Sequence, residues 1–429
     1  MRSVNLQHFN KNGTAWVLAT LLTNKYLNSE KKSNELYDQL PSNLQEEKKA
    51  RIKSLFYGVL RNQLRITEAY SVLIRKSPKN LLKSILLITG FELLESGHSK
   101  KEKIIHHAVE ASKELVSKQE VQFLNAVLRK LPEQLSQQKP DQSLSTFYSH
   151  PDWLVENWIK TYGKKETQSL LEWNQSIPSL YLYNRSMPKS FNKTLVPIGD
   201  HFYRLNGSDL KDLSVQSMLN EGSAYIKDPA TRHAIDALDP KPGEHILDLC
   251  SAPGGKSFDC IHRMDKEGLL VCVDLPGKRI ERLEENLSPF KNGSVKLKIL
   301  ASDILSLTNH TFQKNKLPHS YDAVLIDAPC SNTGVIQRKP DVRWRLKETD
   351  IEQCSALQLK LLKAASAFVK KNGRIVYSTC SIEPSENNLL IEQFLNSEEG
   401  AQFKLEKSNC YYPWIHQHDG AGVFLMKSK

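Results

Sequence analysis

Two cysteine motifs, Asp327-Ala328-Pro329-Cys330-Ser331 and Ser378-Thr379-Cys380-Ser381, hold the residues best suited to chemistry in this chain. Each follows a short apolar run that reads as a buried strand, which predicts two thiols at the carboxyl ends of two strands in one open sheet. Ligands of such sheets bind in the crevice outside those ends. Two thiols converging there permit disulfide exchange, metal binding or thiolate attack. All seven cysteines lie beyond residue 249, their number is odd, and no C-x-x-C pair occurs. That pattern argues against a disulfide framework, a zinc site or a thioredoxin-like redox pair. It leaves one or two nucleophiles to find and inert buried positions for the rest. Cys250, Cys260, Cys272, Cys354 and Cys410 are expected to be inert, with Cys250 lining a ligand pocket through its backbone.

These motifs need elements to position them. At 429 residues, with 25% charged and 39% hydrophobic residues, the chain has the composition of a globular protein of two or three domains. The start, Met1-Arg2-Ser3-Val4-Asn5-Leu6-Gln7, has no apolar core of a signal peptide. No apolar run reaches the roughly 18–20 residues that span a bilayer. A cytoplasmic protein with reduced thiols is therefore expected, without a membrane partner and without an evident obligate protein partner.

Charge divides the chain. Residues 1–150 carry 23 Lys and Arg against 14 Asp and Glu, while the remaining 279 carry 36 against 34. Most of the net +11 thus sits far from the cysteines, as expected of a surface that docks on a polyanion such as nucleic acid. This first third reads as helices. Ile52, Leu55, Phe56, Val59, Leu60 and Leu64 repeat at helical spacing, as do Leu82, Ile85, Leu86 and Phe91. Val121, Leu124, Val127, Leu128 and Leu131 form a third face that Pro132 is expected to end. The polar stretch Pro132–Ser143 reads as a linker.

The expected domains are a helical domain over 1–140, a small α/β module over 141–225 and an α/β domain over 226–429. In the module, Leu180–Asn184 and His201–Leu205 read as strands. Beyond it, His245–Leu249, Leu269–Asp274, Val295–Leu300, Ala323–Asp327 and Arg374–Ser378 are apolar runs separated by helix-length segments. That alternation predicts a doubly wound, mostly parallel sheet.

The strand ends indicate the ligand. After the first strand, Cys250-Ser251-Ala252-Pro253-Gly254-Gly255-Lys256 makes a tight turn into a helix, where backbone and ligand approach closely. The G-x-G-x-x-G pattern is absent. A P-loop would need glycine where Cys250 stands, so a nucleotide hydrolase is the lesser alternative. The second strand ends in Asp274, placed to accept ribose hydroxyls, and the third leads to Asp303, placed for a base edge. Both aspartates also suit helix caps. With the glycine turn in register, a ribose-and-base ligand without pyrophosphate is favoured, and S-adenosylmethionine fits.

The glycine turn with Leu247-Asp248-Leu249, the two cysteine motifs, Lys227-Asp228-Pro229-Ala230-Thr231 and Arg338-Lys339-Pro340-Asp341-Val342-Arg343-Trp344 together resemble the motif set of the Nop/Nol/Sun RNA 5-cytosine methyltransferases. Phe123–Lys130 resembles the NusB-type RNA-binding helical fold, a pairing found in the bacterial Sun (RsmB) branch. The resemblance implies a Rossmann-like methyltransferase domain preceded by a NusB-like domain. It also implies S-adenosyl-L-methionine as cofactor and 16S ribosomal RNA, unassembled or partly assembled into the small subunit, as partner. Two departures stand out: Lys227 where the family usually has glutamine, and Lys339 in a segment where relatives often carry histidine.

The resemblance assigns roles. Cys380 adds to carbon 6 of cytosine, making carbon 5 nucleophilic enough to take a methyl group. Cys330 serves release, and Asp327 holds the cytosine edge. The cofactor would sit on Cys250, Ser251, Ala252, Pro253, Gly254, Gly255, Lys256, Asp274, Asp303 and Asp327. Lys256 could supply charge that favours a thiolate, or simply anchor the turn. Arg338, Lys339, Arg343 and Arg345 around Trp344 read as a loop that grips phosphates and stacks a base, or as a loop with the tryptophan tucked inside. A transferase acting on another RNA such as tRNA, or a non-catalytic RNA-binding assembly factor on the same fold, are the other readings.

Overall fold

A computed structural model describes residues 13–184 and 195–429. The start Met1–Gln7, read as lacking a signal peptide, lies outside them. None of the described helices is long and apolar enough to cross a membrane. The chain forms two compact units, one of residues up to Ser176 together with Ile336–Arg345, the other of Ile177–Val335 and Leu346–Lys429.

The first unit is helical. Helices Ala15–Leu27, Glu46–Ser71, Asn80–Glu95, Lys101–Ser112 and Lys118–Gln137 share one core. Ile52, Leu55, Phe56, Val59 and Leu60 are buried in it, as the helical spacing predicts. Leu64 is only half-buried, and Ile66 goes inside instead. Pro132 does not end its helix, which continues to Gln137. The proline removes one hydrogen bond, but Leu131 and Leu135 on either side are buried, and their packing holds the last turns. The first half of the expected linker, Pro132–Gln137, is therefore helix. Three further helices, Leu144–Phe147, Asp152–Tyr162 and Lys164–Gln175, fall with this unit, which runs to Ser176.

Residues 336–345 also fold within this unit, which corrects the reading of Arg343 and Trp344 as an RNA grip. Arg343 is fully buried and donates to the carbonyls of Arg61 (3.4 Å), Tyr148 (3.4 Å), Ser149 (3.2 Å) and Asn174 (3.1 Å). Burial, and then the nearby Arg61 charge, pull its pKa well below the ordinary guanidinium range. Trp344 Nε1 donates to the Leu60 carbonyl at 2.7 Å, and the Arg345 guanidinium lies 4.2 Å over the Tyr26 ring. Arg338 is half-buried and Lys339 exposed. A planar cation with five donors can satisfy several carbonyls at once, which lysine cannot.

The second unit opens with an antiparallel sheet of β1 (Leu180–Asn184), β2 (Val196–Gly199), β3 (Phe202–Leu205) and β4 (Ala224–Ile226), in the order β2-β3-β1-β4. Leu182, Leu205, Val215, Met218 and Ala224 fill its core. The large sheet follows: β5 (His245–Leu249), β6 (Leu269–Asp274), β7 (Lys296–Ala301), β8 (Tyr321–Asp327), β9 (Val369–Thr379), β10 (Phe403–Tyr411) and β11 (Ala421–Ser428). Its order is β10-β11-β9-β8-β5-β6-β7. β5 to β9 run parallel, whereas β11 lies antiparallel to β9, and β10 to β11. β6 is buried throughout because helices cover both faces of a parallel sheet. The chain starts at central β5, builds outward to β7, then returns to β8 on the other side. The switch point is therefore between β5 and β8, where such folds bind their ligands.

Replacing Arg343 by leucine would take a donor from four carbonyls, of which those of Arg61 and Tyr148 keep Gln175 Nε2 and those of Ser149 and Asn174 lose a buried bond. Its urea midpoint is expected to fall by the equivalent of about 3 kcal/mol, with Arg343→Lys recovering little of the loss. A midpoint unchanged in Arg343→Leu would contradict this account of the segment.

Candidate active site

Every sequence-predicted site residue in the large-sheet domain lies at or just beyond the carboxyl ends of β5 to β9. Asp327 pairs in register with Ser378 across β8 and β9, so the two cysteine turns leave the sheet side by side. They bring Cys330 Sγ and Cys380 Sγ within 3.1 Å. Asn332 lies against both turns: its amide donates to the Cys330 carbonyl at 2.7 Å, and its Oδ1 accepts from Cys380 Sγ at 3.4 Å.

The surroundings of Cys330 disfavour its anion. Contact with the Cys380 sulfur and then burial push the Cys330 thiol well above the usual range, with the charges of Cys380 and Glu386 adding to the effect. Cys330 is thus a neutral thiol at physiological pH. Lys256 Nζ lies 2.7 Å from Asp327 Oδ2, and Asp327 Oδ1 accepts from Ser378 Oγ at 3.1 Å. Burial opposes the Lys256 charge, but Asp327, and after it Cys380, outweigh that and raise its pKa. Lys256 therefore anchors the turn through Asp327 and also carries positive charge beside Cys380.

The glycine turn is built by its backbone. Cys250 has φ +58° and Gly254 φ +105°. A Cβ on Gly254 would lie 3.0 Å from Leu283 Cδ1, so both the dihedral and the packing require glycine. Burial first, then the Asp274 and Asp327 charges, push the Cys250 thiol up to about 12. Cys260 and Cys272 are fully buried with raised pKa values, and burial also raises Cys354 and Cys410. None of these five resembles an activated thiol.

Asp274 is buried and doubly engaged. Its Oδ2 accepts from Ala252 N at 2.9 Å and its Oδ1 from Leu275 N at 2.8 Å, with Arg279 3.4 Å away. It fastens the glycine turn to the end of β6. Asp303 is exposed and caps the turn Ile304–Ser306 by accepting from Leu305 N at 3.0 Å. Lys227 is buried, paired with Asp259 and 3.8 Å over the Tyr183 ring, so this departure from the family is accommodated in the interior.

Several contributors went unread in the sequence. Asp248, fully buried on β5, accepts from Ser257 Oγ through Oδ2, while its Oδ1 has no partner among the described residues. Burial, only partly relieved by Ser257, raises its pKa to about 7. Glu386, Gln358 and Asn387 buttress the cysteine turns from below. A serine directly after each cysteine was the available signal for that support. An unsatisfied acidic acceptor at β5 and a carboxylate at the end of β6 suit a ligand that brings a cation and hydroxyls. S-adenosylmethionine brings both.

Asp248 also predicts a pH effect on stability. Its folded pKa lies above its unfolded value near 3.9, so the native state holds the proton more tightly. That contribution is complete below about pH 4 and is lost as pH rises through 7, by about 4 kcal/mol. Asp248→Asn should flatten this slope in urea midpoints measured between pH 5 and pH 8. An identical slope in the variant would refute it.

Comparisons with known proteins give the chain its family. The family model for 16S rRNA methyltransferase RsmB/F matches residues 235–420, and that of the NusB family matches 14–133. Ribosomal RNA small subunit methyltransferase B of Shewanella oneidensis is 31% identical over 358 residues, covering 81% of each chain. Probable ribosomal RNA small subunit methyltransferase B of Bacillus subtilis is 29% identical over 392 residues, covering 87% of this chain and 84% of its own. The crystal structure of PH0851 shares the fold with a TM-score of 0.70 at 22% identity, over 98% of this chain and all of that one. The chain thus belongs to the S-adenosylmethionine-dependent ribosomal RNA small subunit methyltransferase B family.

Proposed function

We propose that this protein methylates carbon 5 of a cytosine in 16S ribosomal RNA through a covalent bond between Cys380 and the base. The observation that carries the reading is the 3.1 Å approach of the two thiols beside the Lys256–Asp327 pair. One thiol adds to the ring and the other stays protonated next to it. Bound S-adenosylmethionine supplies an electrophilic methyl group, and Asp248, Asp274 and the turn Cys250–Lys256 are the residues that would hold it, with Asp303 toward its base.

The chain's own groups account for the remaining steps. The Cys380 thiolate forms a bond to carbon 6, and the ring's electron pair moves toward carbon 5 and the ring nitrogen. Asp327 orients the cytosine edge where that charge develops. After carbon 5 has taken the methyl group, a base removes its proton. The carbon 5–carbon 6 double bond re-forms, and the bond to Cys380 breaks to return the thiolate. A neutral Cys330 thiol facilitates this departure by donating a hydrogen bond to the leaving sulfur. The cytosine must be unpaired or flipped out to reach these groups. Unassembled or partly assembled 16S RNA meets that requirement more readily than a finished subunit.

Labelled S-adenosylmethionine offered with unmodified 16S RNA, tRNA or assembled small subunits tests this reading. Label is expected in 5-methylcytosine of free 16S RNA, with less in the subunits. Transfer to tRNA alone, or no transfer at all, would overturn it. Cys380→Ala should lose both turnover and adduct, while Cys330→Ala should accumulate a covalent protein–RNA species.

A further inference from the structure

Glu386 lies beneath both cysteine turns and takes no part in the steps above. It is fully buried, in the turn Pro384–Glu386. Its Oε1 accepts from the backbone N–H of Ser331 and from the Gln358 amide, each at 2.9 Å. Its Oε2 accepts from the hydroxyls of Ser331 and Ser381. These serines directly follow Cys330 and Cys380, and their hydroxyl oxygens stand 3.2 Å apart. One carboxylate oxygen therefore serves both turns.

Support for the two turns is unequal. Gln358, while bound to Glu386, also donates to the Pro329 carbonyl at 2.9 Å. Both residues flanking Cys330 thus hang from the Glu386–Gln358 pair, and beyond it the turn has the local contacts of Asn332 with the Cys330 carbonyl at 2.7 Å and of Thr333 Oγ1 with Ser331 Oγ at 3.3 Å. The Cys380 turn has independent holds: Gly334 N donates to the Cys380 carbonyl at 3.0 Å, and the Asn387 amide to the Ser381 carbonyl at 3.0 Å. Thr379 Oγ1 adds a bond to Asn387 Oδ1 at 2.8 Å. Removing the Glu386 carboxylate would loosen Cys330 far more than Cys380.

We propose that Glu386 is a positioning residue for Cys330, fixing that thiol against the Cys380 sulfur and so controlling release of the methylated base and not the initial attack. This rests on the division of labour between the two cysteines given above. A displaced neutral thiol can no longer donate to the departing sulfur, yet Cys380 remains in place to attack. A merely structural role would lower both steps together.

The test uses the full chain with labelled S-adenosylmethionine and 16S RNA. Turnover and denaturant-resistant protein–RNA adduct are measured side by side for Glu386→Ala, Glu386→Gln, Ser331→Ala, Cys330→Ala and Cys380→Ala. Glu386→Ala is expected to lose turnover by about tenfold or more while adduct rises toward the Cys330→Ala level. Glu386→Gln should recover part of the turnover. Ser331→Ala, which keeps the backbone donor, should shift both quantities in the same directions by less, and it decides the matter if Glu386→Ala does not fold. Turnover and adduct falling in parallel, or neither changing, would overturn the proposal. If Cys330→Ala accumulates adduct and the Glu386 and Ser331 variants do not, only the role of Glu386 fails. If Cys330→Ala itself accumulates none, the division of labour fails with it.

Discussion

The contact between Cys330 and Cys380 is the constraint around which the methyltransferase sheet is arranged. Two sulfur atoms 3.1 Å apart must come from turns that leave adjacent strands at the same level. β8 and β9 provide this because they are parallel neighbours with Asp327 opposite Ser378. A one-residue slip in that register would turn every side chain on β9 to the other face. It would also break the Ser378–Asp327 bond on which the Lys256 contact rests. The antiparallel β11 matters here too, because it covers β9 and leaves β8 and β9 interior to the sheet.

Charge is distributed unevenly around that contact. Asp327 is paired with Lys256, Asp274 is satisfied by two backbone N–H groups, and Asp248 has one oxygen without a partner among the described residues and an elevated pKa. The same carboxylates raise the Cys250 thiol. What distinguishes Cys380 is its position on the Lys256 side of the pair, where its charge and that of lysine favour each other. Cys330, against the Glu386 carboxylate, is disfavoured as an anion.

The α/β domain was legible because its strands are continuous apolar runs ending in motif residues. β1, β5 and β6 coincide with the runs Leu180–Asn184, His245–Leu249 and Leu269–Asp274. β10 and β11 were not read: β10 is an edge strand with many polar positions, and β11 joins the sheet antiparallel to β9, outside the parallel alternation. The helix through Pro132 was misjudged because local propensity was weighed without the burial of Leu131 and Leu135. Arg343 and Trp344 resembled an RNA-binding cluster by composition. Their carbonyl partners, Leu60, Arg61, Tyr148, Ser149 and Asn174, lie well over a hundred residues away, beyond the reach of any pattern in the segment. Glu386 was hidden for the same kind of reason, since a buried carboxylate is recognised by its donors and these come from three separate elements.

The proposed division of labour makes Cys380 the reactive sulfur and Cys330 its protonated neighbour. Residue-resolved alkylation by iodoacetamide, followed by peptide mass spectrometry from pH 6 to pH 10, measures this directly. Cys380 is expected to be labelled first at every pH in that range, with Cys330 resisting in the wild-type protein. Equal labelling of the two, or Cys330 reacting ahead of Cys380, would contradict the account.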